Sequence, residues 1–414
     1  MFRLAAVLVL VSAFLQPAFA APAAVDPALL GTLREAKQGE VTLRTAVPDA
    51  AAIALIFGFP VIEKGVQPVF VEVRNDGDVP LWYMPITTDA TYFAPLEVAW
   101  RFRDPLDPKS GADAAAAMTR LAMPLAIPAH STASGFVFTH IETGLKFLSF
   151  GLLAGGDEVL FRFIVPVQGP AYLGERIEFE TLYPAGELKD VDLPGLQAAI
   201  ETLPCCTTNE DGSKKGDPLN LVVVGDIDAL FAFVGRGWRM TQTLDLHSAV
   251  ATAKSFLLGT QYDSSPVSPL YVFGRRQDLA LQKPRSTIDE RNHVRFWLTP
   301  LRYQGRKVWV GQISRDIGVE LTRHSWYLTT HRISPSVDFD RDYLLQDLLF
   351  SGAVQHFGYA KGVGVSAAAD PRVNLTDDPY VTDGLRLVLV IGGDGERLTG
   401  IGRLEWEQLP EPAQ

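Results

Sequence analysis

Alternation of apolar and polar residues with a period of two dominates the first half of this chain, and a chain so patterned must bury one face of each strand in a sheet. Val69, Val71 and Val73 alternate ahead of the turn Asn75-Asp76-Gly77-Asp78. Val159, Phe161, Phe163, Val165 and Val167 follow Gly155-Gly156-Asp157, and Ile177, Phe179, Thr181 and Tyr183 follow Gly174. Leu96, Val98, Trp100 and Phe102 read the same way. Short strands punctuated by Gly and Pro predict an antiparallel β-sandwich over 36–190. Asp107–Ala117 is low in complexity and reads as a solvated insertion or a short helix. His130 and His140 stand alone, so this half carries no catalytic pattern and reads as a spacer or interaction module.

The chain begins with Arg3, an apolar run from Leu4 to Leu15, and Ala18-Phe19-Ala20. That order is the pattern of a cleaved export signal over 1–20. Gln16, Pro17 and Pro22 interrupt the ~20-residue apolar helix that a membrane span requires. We therefore expect a periplasmic or secreted protein that is not integral to the membrane once the signal is removed. The two cysteines, Cys205 and Cys206, are adjacent and can pair within the chain only with each other. Neighbouring Cα atoms lie about 3.8 Å apart, below the usual disulfide range that starts near 4.4 Å. The pair is thus either a rigid loop clamp or unbonded.

A linker is expected over 191–216, with a short helix at Leu193–Thr202 and a polar turn at Asn209–Asp217. Leu219–Val224 is a continuous apolar strand, and Ile227–Val234 a helix that Asp226 is placed to cap. Further helices are expected at Ser248–Leu258 and from Asp338 to Phe350, with strands at Leu270–Gly274, His293–Trp297, Lys307–Ile313, Trp326–Ile333 and Leu385–Ile391. Residues 217–405 then form one mixed α/β domain, and the fold class of the whole is α+β.

Net charge is −11, yet 268–345 holds 13 Lys/Arg against 8 Asp/Glu, and 11 of the 13 are Arg. Arg holds carboxylates and phosphates in a planar fork, so this enrichment points to an anion-facing surface or to internal ion pairs. An acidic, exported chain is a poor nucleic-acid partner. On a strand over 291–297, Arg291, His293 and Arg295 share one face, while Asn292, Val294 and Phe296 share the other. Asp316, His331, Arg275, Asp278 and Arg341 are candidates to join that face. His293, His331 and Asp316 could move protons; Arg275, Asp278, Arg291, Arg295 and Arg341 could hold an anion. The same residue types build structural ion-pair networks.

No G-x-S-x-G, S-x-x-K, H-E-x-x-H or G-x-x-x-x-G-K-[ST] motif is present. Asp338–Asp342 begins like a calcium loop, but Tyr343 and Leu349 stand where Gly and Glu are needed. No metal and no cofactor are expected. Trp297, Trp309 and Trp326 read as core.

The strings PLNLVVVGD (218–226), YVFGRRQDLALQK (271–283), RNHVRFW (291–297), VWVGQISRDIG (308–318), THRISPSVDFDRD (330–342) and DPYVTDGLRLVL (378–389) resemble the LssY C-terminal domain family. The resemblance spans about 200–392 and leaves the sandwich unmatched. It implies an envelope or lipid-phosphate setting, and no assigned activity. Asn292 and Arg332 stand where relatives often carry a second His, which removes donors that a metal would need. Two functions follow as expectations. One is a non-enzymatic envelope protein whose C-terminal domain binds an anionic small molecule, a lipid headgroup or a protein partner. The other is a periplasmic hydrolase of phosphate or acyl esters built on the Arg/His/Asp cluster.

Overall fold

The computed structural model describes residues 25–142, 144–167, 179, 181–241, 269–284, 291–321, 329–392 and 398–409. The expected export segment 1–20, the helix Ser248–Leu258, Ile177 and Trp326 lie outside these residues, whereas Phe179, Thr181 and Tyr183, expected to continue a strand from Ile177, are described and belong to no strand.

Eight strands build the first half: β1 (Arg34–Gln38), β2 (Val41–Ala46), β3 (Gln67–Asn75), β4 (Leu81–Met84), β5 (Ala126–Ile127), β6 (Ser131–Thr139), β7 (Gly144–Ala154) and β8 (Asp157–Val167). They form two antiparallel sheets, ordered β1-β2-β3-β6 and β5-β4-β7-β8. Val69, Val71 and Val73 of the first sheet and Phe161, Phe163 and Val165 of the second meet in one buried core, as period two requires. The other face of the first sheet is covered by helices α1 (Ala50–Phe57), α2 (Pro95–Trp100) and α3 (Pro108–Leu121). Phe57 packs on Phe136 with ring centroids 5.0 Å apart.

One expected strand is a helix. The alternation over Leu96–Phe102 predicts a strand, but α2 occupies Pro95–Trp100. Pro95 occupies the first turn, where its missing N–H is no loss, and the Glu97 carboxylate accepts from the Ala94 N–H at 3.2 Å. Val98 and Ala99 are the buried residues; Leu96 and Trp100, four apart, face outward.

The remaining strands are β9 (Lys189–Val191), β10 (Cys206–Thr208), β11 (Lys215–Pro218), β12 (Leu221–Val224), β13 (Arg239–Met240), β14 (Tyr271–Val272), β15 (Arg275–Arg276), β16 (Leu279–Pro284), β17 (Arg291–Tyr303), β18 (Arg306–Leu321), β19 (Thr329–Ile333), β20 (Val354–Ala360), β21 (Arg372–Val373), β22 (Pro379–Tyr380), β23 (Arg386–Ile391) and β24 (Gly402–Leu404). The helices are α4 (Leu193–Glu201), α5 (Ile227–Gly235) and α6 (Val337–Leu349). A large mixed sheet runs β13-β16-β17-β18-β12-β23-β20-β24, with β9 paired to β17 and β19 to β18. At its centre β17 and β18 form a long hairpin. Its turn sets Gln304 at φ 51° and Gly305 at φ 76°, the left-handed pair that suits twisted strands.

Both faces of this sheet are covered, which explains why β12 and β23 read as unbroken apolar runs. Leu221, Val223, Leu387 and Leu389 pack under α5 and α6, where Phe233, Leu344 and Leu348 are buried. Val222, Val224, Val388 and Val390 pack under Leu196 and Ile200 of α4. A small sheet, β11-β10-β14-β15, lies over the rest of this second face, with Leu270 and Val272 against Trp297 and Val310.

The stretch 191–216, expected to be a linker, is thus largely folded onto the large sheet. Its α4 buries Leu196 and Ile200, β9 pairs with Leu301–Tyr303, and β10 pairs with β14. Cys205 and Cys206 form a vicinal disulfide at the start of β10. Asp226 precedes α5 without a side-chain cap bond; its carboxylate instead accepts from Lys307 Nζ at 3.2 Å. The two halves touch where Arg162 of β8 meets Asp228 at 2.8 Å and Phe147 packs edge-on against Phe231. No helix among the described residues is long and apolar enough to cross a membrane.

Candidate functional site

Strand alternation places Arg291, His293 and Arg295 on the second face of the large sheet, and all three are buried. Their register partners carry the rest of the patch. Gln282 of β16 lies opposite His293; on β18, Ser314 lies opposite His293 and Gln312 opposite Arg295. Asp316 follows two residues along β18 and is on the same face. Asp217, on β11 of the overlying sheet, is close enough to Arg295 to act on it electrostatically.

His293 Nε2 and Asp316 Oδ2 are 2.6 Å apart. Burial pushes the imidazole down to about 4, with Arg291 and Arg295 adding to the effect and Asp316 opposing it. The ring is therefore neutral at pH 7. Its one N–H, on Nε2, donates to the Asp316 carboxylate, which leaves a lone pair on Nδ1. That Nδ1 is buried and has no hydrogen-bond partner among the described residues.

Arg291 donates through Nη1 to Gln282 Oε1 at 3.1 Å, and Arg295 through Nη1 to Gln312 Oε1 at 3.0 Å. Arg295 makes no ion pair within 4.0 Å among the described residues, and its Nε has no partner. Burial consequently lowers its pKa, while Asp217 and Asp316 work the other way. Asp217 is in turn raised by burial, with Arg295 and the Asn374 amide opposing.

Of the residues picked from the sequence, the structure brings together Arg291, His293, Arg295 and Asp316. Arg275 and Asp278 do not belong to this group. They form a two-point pair at 2.9 and 2.9 Å, and both also bind the Leu298 backbone. Arg341 is likewise committed elsewhere, to Asp383, Asp342 and Asp338. The backbone of His331 lies in β19, beyond the β18 segment that faces β17, and its side chain is outside the described ones. Gln282, Gln312 and Asp217 escaped the sequence reading. The first two are the cross-strand neighbours of His293 and Arg295, and only a strand register identifies them.

One consequence can be measured. Between pH 6.5 and 4 the unfolded chain takes up a proton at His293 and the folded chain does not, so stability falls as pH falls through that window. The expected drop in stability is roughly 3 kcal/mol, nearly complete by pH 4. Urea melts of wild type and His293→Gln across pH 4–7 check it; a stability difference between the two that does not change with pH through this window contradicts the buried neutral imidazole.

Curated proteins give no match to this sequence. The model of the LssY C-terminus family matches residues 198–385, which hold the end of α4, the small sheet, β16–β18 and the polar patch. Residues 198–385 thus carry a domain of the LssY C-terminal family.

Proposed function

We propose that the chain acts in the cell envelope after export, and that its C-terminal domain binds an anionic ligand at the Arg291–His293–Arg295 face. The observation that carries this reading is Arg295, a buried guanidinium answered by a neutral amide rather than a carboxylate. Burying a cation with no direct ion-pair contact costs several kcal/mol, Asp217 and Asp316 offset it only from a distance, and a ligand oxyanion would supply a direct counter-charge. Arg291, two residues away on the same strand face, adds a second positive charge to that face.

Hydrolysis is the second reading, favoured by the His293–Asp316 pair, which has the form of an oriented general base. Binding is preferred because His293 Nδ1, the nitrogen such a base would use, contacts no Ser or Cys nucleophile among the described residues.

Thermal melts with inorganic phosphate test the binding reading. A ligand at about 100 times its Kd stabilises the folded state by about 2.7 kcal/mol, which raises Tm by several degrees. Phosphate at millimolar concentration should do so at constant ionic strength. A Tm that chloride and phosphate leave equal would count against the site.

A further inference from the structure

Around Arg295, the buried atoms His293 Nδ1, Arg295 Nε and Gln312 Nε2 have no hydrogen-bond partner among the described residues. They belong together. Arg295 and Gln312 are register partners on β17 and β18, and His293 is the next residue on the same face of β17. Side chains so related lie within about 5–8 Å of one another. The orientation of the Gln312 amide is fixed, because Arg295 can only donate and Gln312 Oε1 receives it at 3.0 Å. Its Nε2 is therefore a donor.

The three atoms differ in kind. Arg295 Nε and Gln312 Nε2 carry hydrogens and cannot accept. His293 Nδ1, with the ring proton held on Nε2 by Asp316, accepts and cannot donate. A fully ionised oxyanion would satisfy both donors but would turn lone pairs towards Nδ1. Charged groups around the imidazole act in the same sense. Arg291 and Arg295 flank it on β17, Asp316 faces it from β18, the neutral Gln282 faces it from β16, and Asp217 approaches Arg295 from the overlying sheet. Two carboxylates beside the guanidiniums disfavour a ligand carrying maximal negative charge.

We propose that this face selects an oxyanion that retains a proton, namely hydrogen phosphate or a phosphate monoester in its singly charged form. The ionised oxygens take Arg295 Nε and Gln312 Nε2, and the remaining P–OH donates to His293 Nδ1. This rests on the anion-binding reading above and narrows it. Sulfate has the same shape and no proton at neutral pH, and a phosphodiester has none either. Such a site rejects them because Nδ1 would stay buried and unpaired.

Calorimetric titration of the full chain at pH 7 with inorganic phosphate, sulfate, glycerol phosphate and dimethyl phosphate separates the possibilities. Phosphate should bind at least about tenfold more tightly than sulfate or the diester. Glycerol phosphate should weaken as pH rises through its second ionisation near 6. His293→Ala should bring phosphate and sulfate to within about threefold of each other. The wild-type ratio decides the matter even if that variant does not fold. Vesicles containing phosphatidic acid, compared with phosphatidylglycerol, show whether the monoester sits on a lipid: capture by the first alone assigns the same chemistry to a headgroup. Equal affinity for phosphate and sulfate overturns the proton-bearing ligand and leaves the anion site standing. Heat from neither overturns both.

Discussion

Replacing Arg386 by Met is expected to destabilise the protein by about 3–5 kcal/mol, although Arg386 makes no ion pair within 4.0 Å among the described residues. The guanidinium is fully buried in β23 and donates to four backbone carbonyls. Nη1 reaches Ile200 at 2.9 Å; Nη2 reaches Leu203 at 2.9 Å, Pro204 at 2.7 Å and Gly362 at 3.0 Å. Ile200 lies in the last turn of α4 and Leu203 and Pro204 just beyond it, where the helix dipole favours a cation. The same side chain therefore caps α4 and ties the 203–204 segment to the large sheet. Burial opposes the charge and lowers the pKa to about 10, a cost of roughly 3 kcal/mol. Four hydrogen bonds to a charged donor, at about 1.5–3 kcal/mol each, outweigh it. Met relieves the buried charge but leaves the Leu203, Pro204 and Gly362 carbonyls unanswered, while Ile200 O keeps its bond from the Leu203 N–H at 3.3 Å. Glycine is required at 362, because a Cβ there would lie 2.9 Å from Arg386 Cζ. Denaturant melts should show a lower midpoint at unchanged slope. A loss below about 1 kcal/mol would show that the carbonyls find other partners.

Arg341→Met should cost a similar amount for a different reason. Arg341 on α6 is buried among carboxylates: Asp383 at 2.9 and 3.0 Å, Asp342 at 3.0 and 3.4 Å, and Asp338 at 3.4 Å. It also donates to Leu385 O at 3.1 Å and lies over the Tyr359 ring. Burial alone would lower its pKa, but Asp383 and Asp342 hold it above the usual arginine value. Removing the cation leaves three partly buried carboxylates facing one another, and breaking such a pair typically costs 3–5 kcal/mol. Their pKa values must then rise, so the variant's deficit should shrink on acidification. Lys at this position should recover little, because one ammonium cannot answer Asp383 in two-point fashion while reaching Asp342. A variant within 1 kcal/mol of wild type, or one whose deficit grows at low pH, would contradict this account.

These two arginines show where sequence reading stops. Alternation fixed the common face of Arg291, His293 and Arg295 because a strand has only two faces, so spacing alone decides the grouping. Nothing comparable separates a site arginine from a structural one. Arg275 and Asp278 are three residues apart and Arg341 follows Asp338 by three; both read as recruits for a binding face. The structure closes each onto nearby acids. Arg386 drew no notice, since its partners are carbonyls, which carry no side-chain signature. Leu96–Phe102 failed because Leu96 and Trp100 are exposed apolar residues, and a strand period of two counts them as core. Pro95 with Glu97 was the better signal. Asp217 was out of reach because it belongs to a strand of the overlying sheet and approaches Arg295 only through the tertiary fold.

The central claim is that the cations of β17 answer an external anion, and the melting of Arg295→Leu with and without phosphate tests it most directly. If so, the variant in plain buffer should melt within about 2–4 °C of wild type or above it, because a poorly compensated buried charge has been removed. Phosphate should then stabilise wild type and leave the variant unmoved. An Arg295→Leu protein destabilised by roughly 3–5 kcal/mol, beside a wild type indifferent to phosphate, would make Arg295 part of the scaffold and the anion site untenable.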